Sequence, residues 1–164
     1  MAHRTASPTQ RGSKAGRLPI DSSLFFKLVR VVNLTARPFV ETLSRTHALS
    51  LNEWRAMVVL ASHPGVAAHE VAEHCGLDKM STSRAVAALH RHGRLIKQPD
   101  ATDARRTLLR LSPQGETLFR SIGTQAGQRE VQLFKGITQA EQRALGQTID
   151  RLIAALKRSE AEEA

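Results

Sequence analysis

Between residues 21 and 44, apolar side chains recur at Phe25, Leu28 and Val29, Val32, Leu34 and Ala36, Phe39 and Val40, and Leu43. This is a helical period with an apolar face wide enough for two separate contacts. Pro38 falls inside it and, having no amide hydrogen to donate, predicts a kink or break near Arg37. Ser50-Leu-Asn-Glu53 has the spacing of a capping box and starts a helix through Trp54, Met57, Val58 and Leu60 that stops at His63-Pro64-Gly65. A short helix is expected over residues 68–75, ended by Gly76, with a weak start because Ala67 has no side chain to cap it. Asp78 can cap a further helix over 79–92, closed by Gly93; the two short helices have the spacing of a helix-turn-helix. A hairpin follows, with strands at 95–98 and 107–111 around a polar tip. Ser112-Pro113 opens a helix to residue 135, closed by Gly136. Thr138-Gln-Ala-Glu141 is a second capping box, launching a last helix through Leu145, Ile149, Leu152, Ile153 and Leu156. The expected fold is mainly α with one small β-hairpin, and no internal repeat is visible.

Charge turns this outline toward a partner. The chain has 164 residues and a formal net charge of +9, which favours a polyanion: nucleic acid or an anionic membrane surface. Residues 1–20 hold four cations (Arg4, Arg11, Lys14, Arg17) and no acid among Ser, Gly, Pro and Thr, and read as a disordered basic arm. Residues 113–164 hold seven bases and seven acids, so the excess lies in the front and middle of the chain. Residues 158–164 read as a disordered tail. Aromatic content is 4% with no Tyr, which argues against a base-stacking platform for RNA. No apolar run approaches the roughly 18 residues of a membrane helix, no signal-peptide pattern is seen, and the single Cys fits a reducing cytoplasm.

The helix over 79–92 opens on Lys79, Ser81, Thr82, Ser83 and Arg84, with Met80 the only large apolar side chain there; Val86 and Leu89 face inward. Small hydroxyls let a backbone approach closely and bond base edges or phosphates, and Arg can grip guanine with two hydrogen bonds. Such residues also suit an ordinary solvated helix start, but here they follow a helix-turn and precede a basic hairpin. In that hairpin, Arg105 and Arg106 sit at the tip, where a cation pair can reach a phosphate row or a narrow minor groove. Asp103 is placed to hold the Arg105 guanidinium by a fork-type bond.

GLDKMSTSRAVAALHRHGRLIK followed by DATDARRTLLRLSPQG resembles the MarR family of bacterial winged-helix regulators. The resemblance rests on the turn and recognition helix, the Asp-x-Arg wing tip (Asp103, Arg105), and Leu111, Ser112 and Gly115 at the start of the next helix. LSLNEW and LFKGITQAEQRAL extend it, so that it spans residues 22–156. It implies a winged helix-turn-helix domain over residues 51–112 and a helical dimerisation region formed by residues 21–50 and 113–157. It also implies an obligate homodimer on double-stranded DNA, with Arg105 entering the minor groove. Many members carry a small residue at the position of Arg106, and Met80 and Ser83 depart from the common pattern, so no operator sequence carries over.

Many MarR-like repressors release DNA when a small aromatic acid, phenolic or nicotinate-like, binds between the dimer helices and the winged domain. Asn33, Arg37, His47, Trp54 and Arg55 are the candidates for that pocket, lined also by the start of the helix that opens at Pro113. Trp54 fits equally a core anchor, and Arg37 and Arg55 fit surface cations. In HEVAEHC the histidines, His69 and His74, are five apart and lie on different helix faces, so no metal site is expected. No phosphate loop, serine elbow or carboxylate pair stands out; neither enzyme activity nor a cofactor is expected. The expectation is therefore a repressor relieved by a small aromatic carboxylate. Two other readings share the fold: a thiol redox sensor through Cys75, and a ligand-independent architectural DNA-binding protein. Cys75 itself falls at an apolar helix end, as a buried inert thiol would.

Overall fold

The computed structural model describes residues 22–163; the basic arm expected at residues 1–20 and the proposed helix start at Asp21 lie outside the described residues. Six helices and one hairpin follow in the expected order: α1 (Leu24–His47), α2 (Leu51–Ser62), α3 (Ala68–Cys75), α4 (Lys79–Arg91), β1 (Leu95–Pro99), β2 (Thr107–Leu111), α5 (Pro113–Leu133) and α6 (Gln139–Glu163).

Local chemistry sets most of these ends. Ser23 caps α1 by accepting the Phe26 N–H at 3.2 Å. In the α2 capping box, Ser50 Oγ accepts from Glu53 N at 3.2 Å while Glu53 accepts from Ser50 N at 3.3 Å. Ala67 offers no side chain to α3, yet the start is secured from the other direction: Glu70 Oε2 accepts the Ala67 N–H at 2.7 Å. Gly76 leaves α3 with φ +61, the left-handed region that glycine enters without strain.

Two expectations change here. Of the kink or break expected at Pro38, the break does not occur: α1 runs through it to His47. The carbonyl that Pro38 leaves without a helical donor is that of Leu34, an exposed residue where water can serve it. Nor do residues 158–163 form a disordered tail: they are the last turns of α6, in an Ala-, Glu-, Lys- and Arg-rich run of high helix propensity.

The core lies where α2, α4, α5 and the hairpin meet, around Met57, Leu60, Val71, Leu89, Leu109 and Ile122, all buried. β1 and β2 pair antiparallel from Leu95 with Leu111 to Pro99 with Thr107. The turn ahead of α3 adds a bridge to this pair, Gly65 N to Leu109 O at 2.8 Å and Leu109 N to Val66 O at 2.9 Å. The root of the hairpin is equally tied down. Ser112 Oγ accepts from Gly115 N at 3.0 Å and donates to Gly93 O at 2.6 Å. A Cβ on Gly115 would stand 2.0 Å from the Arg94 carbonyl oxygen, so α5 starts against backbone that admits no side chain. Arg94 in turn donates to His47 O at 2.7 Å and Ala48 O at 3.1 Å, closing the end of α1.

The long helices are different. Every described side chain of α6 except Gln142 is exposed, including Leu145, Ile149, Leu152, Ile153 and Leu156. The first part of α1 likewise exposes Leu24, Phe25, Leu28, Val31, Val32 and Leu34.

Candidate nucleic-acid interface and effector cleft

Asp78 caps α4 by accepting the Ser81 N–H at 2.8 Å and the Ser81 hydroxyl at 2.6 Å. The hydroxyl first, then the amide, holds the Asp78 carboxyl below its usual value. Lys79, Met80, Ser83 and Arg84 are exposed, and neither cation has a hydrogen-bond or ion-pair partner among the described residues. Ser81 is half-buried, with its hydroxyl proton committed to Asp78. Thr82 does not belong with them. It is only 2% exposed, on the inward face with Ala85, Val86 and Leu89, and its hydroxyl has no partner. The spacing 82, 85, 86, 89 carries the inward stripe back one turn further than the apolar residues alone suggest. At the other end of α4, His90 Nδ1 lies 3.0 Å from the Leu95 carbonyl and fastens the helix to β1.

The hairpin tip is ordered by its own aspartates. Asp100 Oδ1 accepts from Thr102 N at 2.9 Å and from the Thr102 hydroxyl at 2.7 Å, and these bonds lower its pKa. Asp103 accepts the backbone N–H of Arg105 at 2.9 Å; it does not grip the guanidinium as expected, because the tight turn brings the amide to it first. The Arg105 side chain is exposed and free of partners among the described residues. Arg106 departs from its neighbour. Its Nη2 donates to Glu70 Oε2 on α3 at 2.6 Å, and its Nη1 lies 3.9 Å from Asp100 Oδ2. The Ala67 N–H, followed by Arg106, pulls the Glu70 carboxyl below the usual carboxylate range.

An open cleft of about 1040 Å³ lies between α1, α2 and α5. Its wall is aromatic: Phe39 meets Trp54 edge-on at 5.7 Å between ring centroids, and Trp54, buried, stacks on Phe119 at 5.3 Å. Of the five expected pocket residues, Trp54 and Arg55 line this cleft. Asn33 and Arg37 are exposed elsewhere on α1, and His47 lies instead in a second cleft of about 670 Å³ beside Arg94, Thr117 and Ser121. The later turns of α5, not its start, contribute Gln125, Gln128 and Arg129. Arg129 was not anticipated. It donates to the Thr35 carbonyl at 3.1 Å and holds its guanidinium 5.4 Å from the Phe39 ring centre. The spacing 119, 122, 126, 129 could have placed it on the inner face of α5. The rings of His63 and His74 stack at 4.5 Å, but no group of three metal-ligating side chains forms among the described residues. Burial pushes the half-buried Cys75 thiol up.

A helix-turn-helix followed by a two-stranded wing, between long terminal helices, is a winged-helix architecture. The family model described as MarR family matches residues 47–106, from the end of α1 to the wing tip. A transcriptional regulatory protein for the hcr operon of Thauera aromatica is 28% identical over 142 residues, 86% of this chain and 81% of that protein. The homoprotocatechuate degradative operon repressor of Escherichia coli is 21% identical over 119 residues, 73% of this chain and 80% of that protein.

Among solved structures, a MarR-family regulator from Silicibacter pomeroyi superposes with a TM-score of 0.75 at 18% identity, covering 83% of this chain and 91% of that one. CouR of Rhodococcus jostii, bound to p-coumaroyl-CoA, gives 0.74 at 21% identity, covering 82% and 94%. BpsR of Bordetella bronchiseptica, whose DNA binding is regulated by 6-hydroxynicotinic acid, gives 0.72 at 19% identity, covering 84% and 97%. The chain is thus similar to MarR-family transcriptional regulators, in sequence over residues 47–106 and in fold over most of its described length.

Proposed function

We propose that this regulator is a homodimeric repressor that binds a pseudo-palindromic operator in the cytoplasm and leaves it when a small aromatic carboxylate occupies the α1–α2–α5 cleft. The observation that carries the DNA-binding part is the set of unpaired exposed cations: Lys79 and Arg84 at the start of α4 and Arg105 at the wing tip. Lys79, Ser81, Ser83 and Arg84 read the major groove and Arg105 the minor groove, while Asp103 shapes the tip through the Arg105 amide. The apolar faces of α1 and α6 supply the dimer contact, and twofold symmetry then presents two recognition helices to half-sites about one helical turn apart.

The effector reading is supported by the cleft itself. Trp54 and Phe39 offer ring faces, and Arg55 and Arg129 offer cations for a carboxylate. It is supported too by the similarity to BpsR, whose DNA binding is regulated by 6-hydroxynicotinic acid, to CouR, bound to p-coumaroyl-CoA, and to a homoprotocatechuate degradative operon repressor. A ligand lodged there shifts occupancy by its differential affinity for the two dimer geometries, typically about 1–3 kcal/mol.

The test is binding to the DNA upstream of the protein's own gene at fixed salt, with and without salicylate, 6-hydroxynicotinate and p-coumarate. Tight binding that one of them weakens is expected. Tight binding that none disturbs would overturn the effector reading, and no preference over random DNA would overturn the repressor. Arg105→Ala should weaken binding and lower the slope of log affinity on log salt by about two units, one for each wing of the dimer. An unchanged slope removes Arg105 from the DNA contact.

A further inference from the structure

Two adjacent arginines at the wing behave differently: Arg105 is free, and Arg106 is turned inward against α3. The inward contact is a chain of three links. Arg106, ahead of β2, donates to Glu70 Oε2 at 2.6 Å; the same oxygen accepts the Ala67 N–H that opens α3 at 2.7 Å; and the turn just before Ala67 is bridged to β2 through Val66 and Leu109. Asp100, at the end of the opposite strand, flanks the guanidinium at 3.9 Å and receives no hydrogen bond from it at that distance. Arg106 also closes the tip through its backbone, donating N–H to Asp103 O at 2.9 Å and accepting Asp100 N–H at 3.0 Å. Arg106 Nε is out of water and without a hydrogen-bond partner, while the side chain as a whole keeps 39% of its surface exposed.

We propose that Arg106 is a positioning residue that sets the angle of the wing against the helix-turn-helix through Glu70, and that it does not itself contact DNA. This rests on the DNA-binding reading above. A hairpin held only by its root can swing, and a swing at the base displaces Arg105 at the tip. Beyond the root and the Val66–Leu109 bridge in mid-strand, the Arg106–Glu70 contact adds an attachment near the tip, on the first helix of the helix-turn-helix. Wing and recognition helix then meet DNA as one preset body, without a loss of wing freedom on binding.

Electrostatics makes the proposal separable from a direct contact. Glu70→Gln removes a negative charge from the DNA-binding domain and retains an oxygen for the Ala67 N–H. By charge alone it tightens DNA binding. By positioning it weakens it, because the charge-assisted bond to Arg106 is lost.

The experiment measures affinity for the upstream DNA against salt for the wild-type chain and for Arg106→Ala, Arg106→Gln, Glu70→Gln and the Arg106→Ala/Glu70→Gln double variant. Thermal unfolding is followed in parallel, so that affinities are compared only among folded proteins. The expected result is a loss of about tenfold in each single variant, no further loss in the double, and a salt slope equal to wild type. A slope lowered by about two units, one per wing, in Arg106→Ala, with Glu70→Gln neutral or tighter, would overturn the proposal and make Arg106 a phosphate contact. Unchanged affinity in the single variants, with or without a lower unfolding temperature, would overturn it as well, leaving the pair with a role in stability only. Failure of the parent reading looks different: the wild-type chain itself would not prefer the upstream DNA.

Discussion

Thr82 shows how one residue can look right for DNA and stand in the wrong place. Its neighbours in sequence, Ser81 and Ser83, are half-buried and exposed, but a helix turns each residue about a third of a circle, and Thr82 lands against Ala85, Val86 and Leu89. Its hydroxyl is buried with no partner, so it costs stability that a methyl group of the same shape would not. Thr82→Val should leave operator affinity unchanged and add between nothing and about 1 kcal/mol of stability in urea unfolding. A clear drop in affinity would put Thr82 back among the base-reading residues. Residue types were legible here; their direction was not, until the inward stripe was followed one turn back. Arg106 is the harder case. A cation three places before Leu109, the first buried strand residue, has no periodicity to read, and its acidic partner is 36 positions away in sequence.

At the scale of elements, boundaries marked by caps were legible, since a hydroxyl and a carboxylate three apart need only their own backbone: α2 and α4 start where Ser50 and Asp78 predict, whereas the start of α3 at the uncapped Ala67 is secured by Glu70 instead. Contacts between elements were not. The bridge from Val66 to Leu109 depends on two backbone hydrogen bonds that leave no mark on side-chain pattern. The cleft's use of the later turns of α5 depends on how that helix leans across Trp54. Gly115 is an exception, because its role can be tested from one distance. With 2.0 Å from a Cβ to the Arg94 carbonyl oxygen, Gly115→Ala must push α5 away from the wing root. It should destabilise the fold by about 1–3 kcal/mol in denaturant unfolding. Wild-type stability in that variant would mean α5 and Arg94 do not meet as closely as described.

For the whole molecule, the apolar faces of α1 and α6 are too long to be left in water without consequence. The neutral balance of residues 113–164 pointed there in the sequence, because two copies of a charged surface would repel. Ile149→Glu with Leu152→Glu should convert the protein to a monomer in sedimentation and cost at least about tenfold in operator affinity, since half-sites would be bound singly. A dimer that survives both changes would locate the contact elsewhere. Arg94 ties the long first helix to the wing. With one guanidinium on the last two carbonyls of α1 and its own backbone against α5 at the foot of the hairpin, it works as a knuckle between three levers. A tilt of α1 therefore reaches the foot of the wing and the end of α4 through one residue, since the Arg94 N–H also donates to the Leu89 carbonyl at 2.8 Å.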